Sequence, residues 1–219
     1  MGDTRARILG AATEAFAELG YAAASVREIC GRVGASPNAI NYHFGSKEEL
    51  YREIIGGFAT EQLELATRML TEAPRSPEDF ALRLELFFSE LLRSYLENRD
   101  TIRILYREFE QLAPHGVDGV VGELTKVNEA ISSFVREAIA RGLVAESVDA
   151  DIVAGLLLDR VANQARFTDA HMTFFGVSTL DEEYRRHWVQ ATLRIVLHGI
   201  CGSEGPAAWN ERKNDSCSN

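Results

Sequence analysis

Residues 36–47 read SPNAINYHFGSK, and within these twelve positions fall two amides, a phenol, an imidazole, two hydroxyls and an ammonium. Such groups hydrogen-bond to a polar, charged surface; none of them forms a nucleophile–base pair. An Asn amide can pair bidentately with adenine N6 and N7, and Ala or Pro can touch a thymine methyl. Hydroxyl, imidazole and ammonium groups suit phosphate oxygens, as do amides at a helix start. Upstream, Arg27 carries the fork that matches guanine O6 and N7. The candidate DNA-contacting residues are Ser25, Arg27, Ser36, Pro37, Asn38, Ala39, Asn41, Tyr42, His43 and Lys47. Each has a simpler alternative. Asn38 and Asn41 can be solvated positions, His43 can be hydrogen-bonded between helices, and Lys47 can pair along its own helix.

The elements that must position these groups are helical. Apolar residues recur at helical spacing and strand alternation is almost absent. A first helix is predicted over about 4–19, with Ile8, Ala12, Phe16 and Leu19 on one stripe. Ser25 and Glu28 form a capping box that starts a short helix over about 26–33. Gly34-Ala35-Ser36 makes a turn, and Pro37 suits the first position of the next short helix, where its missing N–H costs nothing. Ser46 and Glu49 form a second capping box, opening a long helix to about residue 70. The two short helices have helix-turn-helix proportions, and in that arrangement the start of the second one enters the major groove. Further helices are predicted over about 77–97, 100–112 (capped by Asp100), 118–141, 150–168 (capped by Asp149) and 181–198. "HMTFFGVSTLDEE" reads as the connection before the last helix. Residues 202–219 read as a disordered tail. The fold class is therefore all-α.

Charge narrows the partners. The 219-residue chain has a formal net charge of −10, but residues 1–55 hold six Lys/Arg against seven Asp/Glu. A nucleic-acid contact must rest on a local patch in that near-neutral part. No apolar run reaches a membrane span, roughly 18 residues. No export signal is evident and three cysteines form no CxxC pair, so a cytoplasmic protein with free thiols is expected. Cys30 is expected to be a small buried residue. Five histidines are scattered without metal-ligand spacing. No paired carboxylates or Gly-rich phosphate loop are evident either, so neither a metal, a cofactor nor an enzyme activity is expected.

The stretches "ILGAATEAFAELGYAAASVREIC", "GAS" and "YHFGSKEELY", in that order, closely resemble the N-terminal domain of the tetracycline-repressor (TetR/AcrR) family of bacterial regulators. The resemblance covers about the first quarter of the chain. "INYHFGSKEELY" also resembles a subgroup with a CerR-type C-terminal domain. Two positions depart: Asn41 stands where relatives usually have Tyr, a phosphate contact, and Cys30 where they usually have Ala. Tyr42 follows, so the phosphate contact can shift by one position, or Asn41 can read a base.

The resemblance implies a DNA-binding head over 1–58, a helical ligand and dimer domain over 59–201, and a homodimeric repressor on a roughly palindromic double-stranded operator. A small molecule would control it. Aromatics at Phe58, Phe87, Phe88, Tyr95, Tyr106, Phe109 and Phe134 can line its cavity, although at helical spacing such residues also make plain core. Leu156, Leu157, Val161, Trp188 and Ile195 on the last two long helices suit a four-helix dimer interface or a buried intrachain face. The rival reading is a helical ligand-binding or enzymatic protein whose helix-turn-helix is only scaffold.

Overall fold

A computed structural model describes residues 4–111 and 118–198. It contains ten α-helices and no strand among the described residues. The head is made of α1 (Thr4–Leu19), α2 (Val26–Arg32) and α3 (Asn38–Phe44), together with the start of α4 (Lys47–Leu70). The body holds α5 (Pro77–Glu97), α6 (Arg99–Gln111), α7 (Asp118–Ala140), α8 (Ala150–Arg166), α9 (Thr168–Phe175) and α10 (Glu182–His198). No helix among the described residues is long and apolar enough to cross a membrane.

The helix starts follow from side-chain acceptors. Ser25 Oγ accepts from the Glu28 N–H at 3.1 Å, Ser46 Oγ from Glu49 at 3.1 Å, and Ser76 Oγ from Asp79 at 3.2 Å. Asp149 Oδ1 accepts from Asp151 and Ile152. Each satisfies first-turn amides that the helix leaves without partners. At Gly45 the backbone has φ +83°, a conformation L side chains rarely adopt, so glycine lets α3 turn into α4 without strain.

Ile8, Ala12, Phe16, Ile29, Ile40, Phe44, Leu50 and Tyr51 close the head core, which continues without a gap into the body. In the body α4 packs on α7, α7 on α8, and α5 on α8 and α10.

Four expectations are corrected here. Leu19 is exposed, because α1 ends before its side chain reaches a neighbour. Asp100 does not cap α6: Asn98 alone separates α5 from α6, and Asp100 lies in the first helical turn. Pro37 is the residue just before α3, already in helical conformation at φ −54°. The stretch from 171 read as a connection is helical at its start: it overlaps α9, which is offset from α8 by Phe167 (φ −99°, ψ 17°) and stopped by Gly176 in the left-handed region at φ +65°. Thr168 Oγ1 donates back to Gln164 and Ala165 carbonyls and accepts from Thr179 Oγ1, which holds this corner. The expected tail at 202–219, Cys201, Cys217 and the break at 113–116 lie outside the described residues.

Candidate nucleic-acid interface and ligand cavity

The turn between α2 and α3 is set by backbone bonds: Ala35 N–H donates to Cys30 O at 2.9 Å and Ala39 N–H to Ser36 O at 2.9 Å. Ile40 and Phe44, four apart, turn one face of α3 into the core. The opposite face then points outward. Asn38 and Asn41 are exposed, and Tyr42 is 82% exposed, extreme for a tyrosine that the fold does not use for packing. Ser36 and Pro37 are exposed, as are Ser25 and Arg27 at the start of α2; Ala39 is half-buried. His43 is half-buried with its ring edge-on to Tyr42, 4.9 Å between centroids, and it makes no hydrogen bond among the described residues. Cys30 is buried, and burial pushes its thiol up.

The head's cations are spoken for, with one exception. Arg5 pairs with Glu53 at 2.7 Å and lies 4.8 Å over the Phe44 ring. Arg7 donates to Val33 O. Arg32 pairs with Glu18 at 2.6 Å and Glu28 at 3.2 Å, and Arg52 pairs with Glu48. Among the described residues of the head, Arg27 alone has no hydrogen bond, ion pair or ring contact.

Lys47 is a correction. Its ammonium donates to Tyr21 O and lies 4.4 Å over the Tyr21 ring, and burial pulls its pKa down. It is a tie inside the head in this structure, not a free phosphate donor. The cause is the loop carbonyl of Tyr21, 26 positions away in sequence.

In the body, a cavity of about 260 Å³ is lined by Phe58 of α4, Tyr95 of α5, Ile102, Leu105, Tyr106 and Phe109 of α6, Leu124 and Val127 of α7, and Leu158, Asp159 and Ala162 of α8. Of the aromatics named from the sequence, Phe58, Tyr95, Tyr106 and Phe109 thus line this cavity. Phe88 and Phe134 do not: Phe88 stacks on Trp188 at 6.1 Å and Phe134 on Phe80 at 5.3 Å, both in close-packed core. Phe87 is likewise core. The expected dimer face also divides. Leu157, Val161 and Trp188 are buried within the chain, whereas Leu156 and Ile195 are exposed, together with Ile152, which the sequence reading missed. Ile152 and Leu156 are four apart on α8 and form one outward apolar stripe. Among the described residues no cluster of three or more His, Cys, Asp or Glu is placed to hold a metal.

A capped helix-turn-helix with polar groups on the outer face of its second helix, on a helical body with a cavity, defines a DNA-binding regulator fold. Residues 8–54 match the family described as bacterial regulatory proteins, tetR family, and residues 77–167 match the tetracyclin repressor-like C-terminal domain. The chain is 28% identical over 153 residues to the transcriptional activator FasR of Mycolicibacterium smegmatis, covering 67% of this chain and 70% of that protein. It is 26% identical over 156 residues to the transcriptional regulator UidR of Escherichia coli, covering 71% and 76%. Its fold matches the TetR-family regulator PfmR from Thermus thermophilus with a TM-score of 0.71 at 23% identity, covering 89% of this chain and 98% of that one. It also matches the ketosteroid regulator KstR2 of Mycobacterium tuberculosis with a TM-score of 0.72 at 21% identity, covering 93% and 97%. The chain belongs to the tetracycline-repressor family of DNA-binding transcriptional regulators. The match over 77–167 gives no support to the CerR-type subgroup.

Proposed function

We propose that the chain is a ligand-responsive repressor that binds a roughly palindromic operator as a homodimer in the cytoplasm. One observation carries the reading: the outer face of the helix-turn-helix is occupied by Arg27, Asn38, Asn41 and Tyr42, all exposed, and Arg27 is the head's one unpaired cation among the described residues. A fold that engages its other head cations internally, on carboxylates or backbone carbonyls, and leaves this one facing out has a charge available for DNA. Asn38 and Asn41 supply base-edge hydrogen bonds, and Tyr42 and Ser25 supply phosphate contacts.

The functional boundary is set at residue 58, inside α4. That helix of 24 residues spans roughly 36 Å, from Lys47 beside α3 to the body, and Phe58 lines the cavity on the way. A ligand wedged against Phe58 shifts the equilibrium between head positions by the difference in its affinity for them. The exposed stripe of Ile152, Leu156 and Ile195 supports pairing of two copies through α8 and α10, which sets two heads on one duplex.

The test is operator selection from random duplexes with the full chain, followed by a promoter reporter. Two matching half-sites about one helical turn apart are expected, with transcription rising when the protein is deleted. Enrichment no better than for an unrelated protein would sink the DNA reading. A fall in transcription on deletion would replace repression by activation.

A further inference from the structure

The cavity behind α4 has a polarity that points to one class of effector. Its wall is aromatic and aliphatic, and the one carboxylate on it among the described residues is Asp159. Asp159 is exposed while lining the cavity, so its carboxylate stands at the mouth. It has no hydrogen bond or ion pair among the described residues. Deeper in, Tyr95 is 6% exposed, and its hydroxyl has no partner among the described residues although the ring packs on Phe58. Among the described residues no Lys, Arg or His lines the cavity. On α8, Arg160 follows Asp159 directly and lies 5.1 Å over the Trp188 ring; further on, Arg166 lies 4.2 Å over the Tyr106 ring and lines a separate small pocket with Arg99 and Arg103. It is seven residues from Asp159, or about 10 Å along the helix. The Tyr106 phenol is pushed up first by burial and then by the charge of Asp159, against a smaller lowering by Arg166, so both charges lie within electrostatic reach of the ring.

Aromatic faces attract a cation through their quadrupole, and a carboxylate at the rim supplies the counter-charge. A carboxylate ligand would meet Asp159 with no cation on the described lining to receive it. The volume, about 260 Å³, lies below the roughly 300–1,000 Å³ of sites for drug-sized ligands, which sets the size of the guest. We infer that the effector is a small organic amine: an apolar, preferably aromatic body held among Phe58, Tyr95, Tyr106 and Phe109, with its ammonium group on Asp159. This rests on the ligand-responsive reading above and assigns its ligand class.

Three probes of nearly equal shape test the charge: phenethylammonium, phenethyl alcohol and phenylacetate, each titrated calorimetrically into the full DNA-free chain. Phenethylammonium binds about tenfold or more tightly than phenylacetate, with the alcohol between them. Asp159→Asn, an exposed and nearly isosteric change, brings the ammonium and the alcohol to within about threefold of each other. The assignment is overturned if phenylacetate binds as well as the amine, if Asp159→Asn leaves the amine preference intact, or if none of the three binds the wild type. Operator release is read separately. An amine that binds without releasing the selected operator leaves the ligand class standing and removes the ligand-responsive reading. A carboxylate that binds and releases it does the reverse.

Discussion

Arg27 and Lys47 are twenty positions apart, carry the same charge and have opposite fates in the fold. Arg27 projects from the start of α2 without a partner among the described residues, and Lys47 is folded back onto the Tyr21 carbonyl and ring. Arg27→Ala should therefore weaken operator binding by about 1–3 kcal/mol. If the side chain reads guanine, the loss is confined to duplexes with that base; if it grips phosphate, every duplex weakens and the salt slope falls by about one unit. Gel shifts over a salt series separate the two. Lys47→Met keeps the apolar stem and removes the charge, and it should leave the salt slope unchanged. A slope lowered by about one would show that Lys47 leaves Tyr21 to hold a phosphate. The outward set of Asn38, Asn41 and Tyr42 was legible in sequence, because Ile40 and Phe44 four apart fix which face of α3 is inside. The fate of Lys47 was not, because it depends on a carbonyl in a distant loop.

At the scale of elements, α6 joins the two halves of the molecule. One side of it lines the cavity with Ile102, Leu105, Tyr106 and Phe109. From the same helix, Arg107 donates to the Phe16 and Ala17 carbonyls at 3.0 and 2.9 Å, at the C-terminal end of α1. Beside it Glu108 accepts a 2.7 Å bond from the buried Tyr51 hydroxyl of α4, and burial followed by that carboxylate pushes the Tyr51 phenol up. Tyr51→Phe removes this bond from a buried carboxylate and should cost about 1–3 kcal/mol in denaturant unfolding. A cost near zero would mean that α6 does not depend on it. At the start of α5, the Arg75 backbone N–H, and after it the Arg75 side chain, hold the Asp79 carboxyl below its usual range. A depressed carboxyl contributes stability that is present above the unfolded value of about 4 and is lost as pH falls through the lower folded value. Asp79→Asn should therefore flatten the acid limb of a melting-temperature profile and leave its neutral part little changed in slope. An acid limb identical to wild type would remove Asp79 as a contributor.

For the whole molecule, the exposed stripe on α8 and α10 and the separation of head from cavity belong to one proposed design, two heads set by one dimer. Leu156→Asp places a charge in that stripe without disturbing the intrachain core, since Leu156 is half-exposed and Leu157 is the buried neighbour. The variant should run as a monomer in light scattering, melt near the wild type, and bind the palindrome at least about tenfold more weakly, because linked half-site binding is lost. A dimer that survives the change would place the interface elsewhere. The sequence by itself determined the helices, their caps, the head with its turn and the outward face of α3. Those depend on local periodicity and on side chains that reach amides three residues away. Only the tertiary structure decided which aromatics face a void and which stack into core, as Tyr95 and Phe88 do respectively. It alone separated Leu156 from Leu157 as surface and core, tied Lys47 to Tyr21, and left Asp159 without a partner at the cavity mouth. Each of those outcomes is set by what a neighbouring helix brings up against the side chain, and periodicity along one helix carries no information about that neighbour.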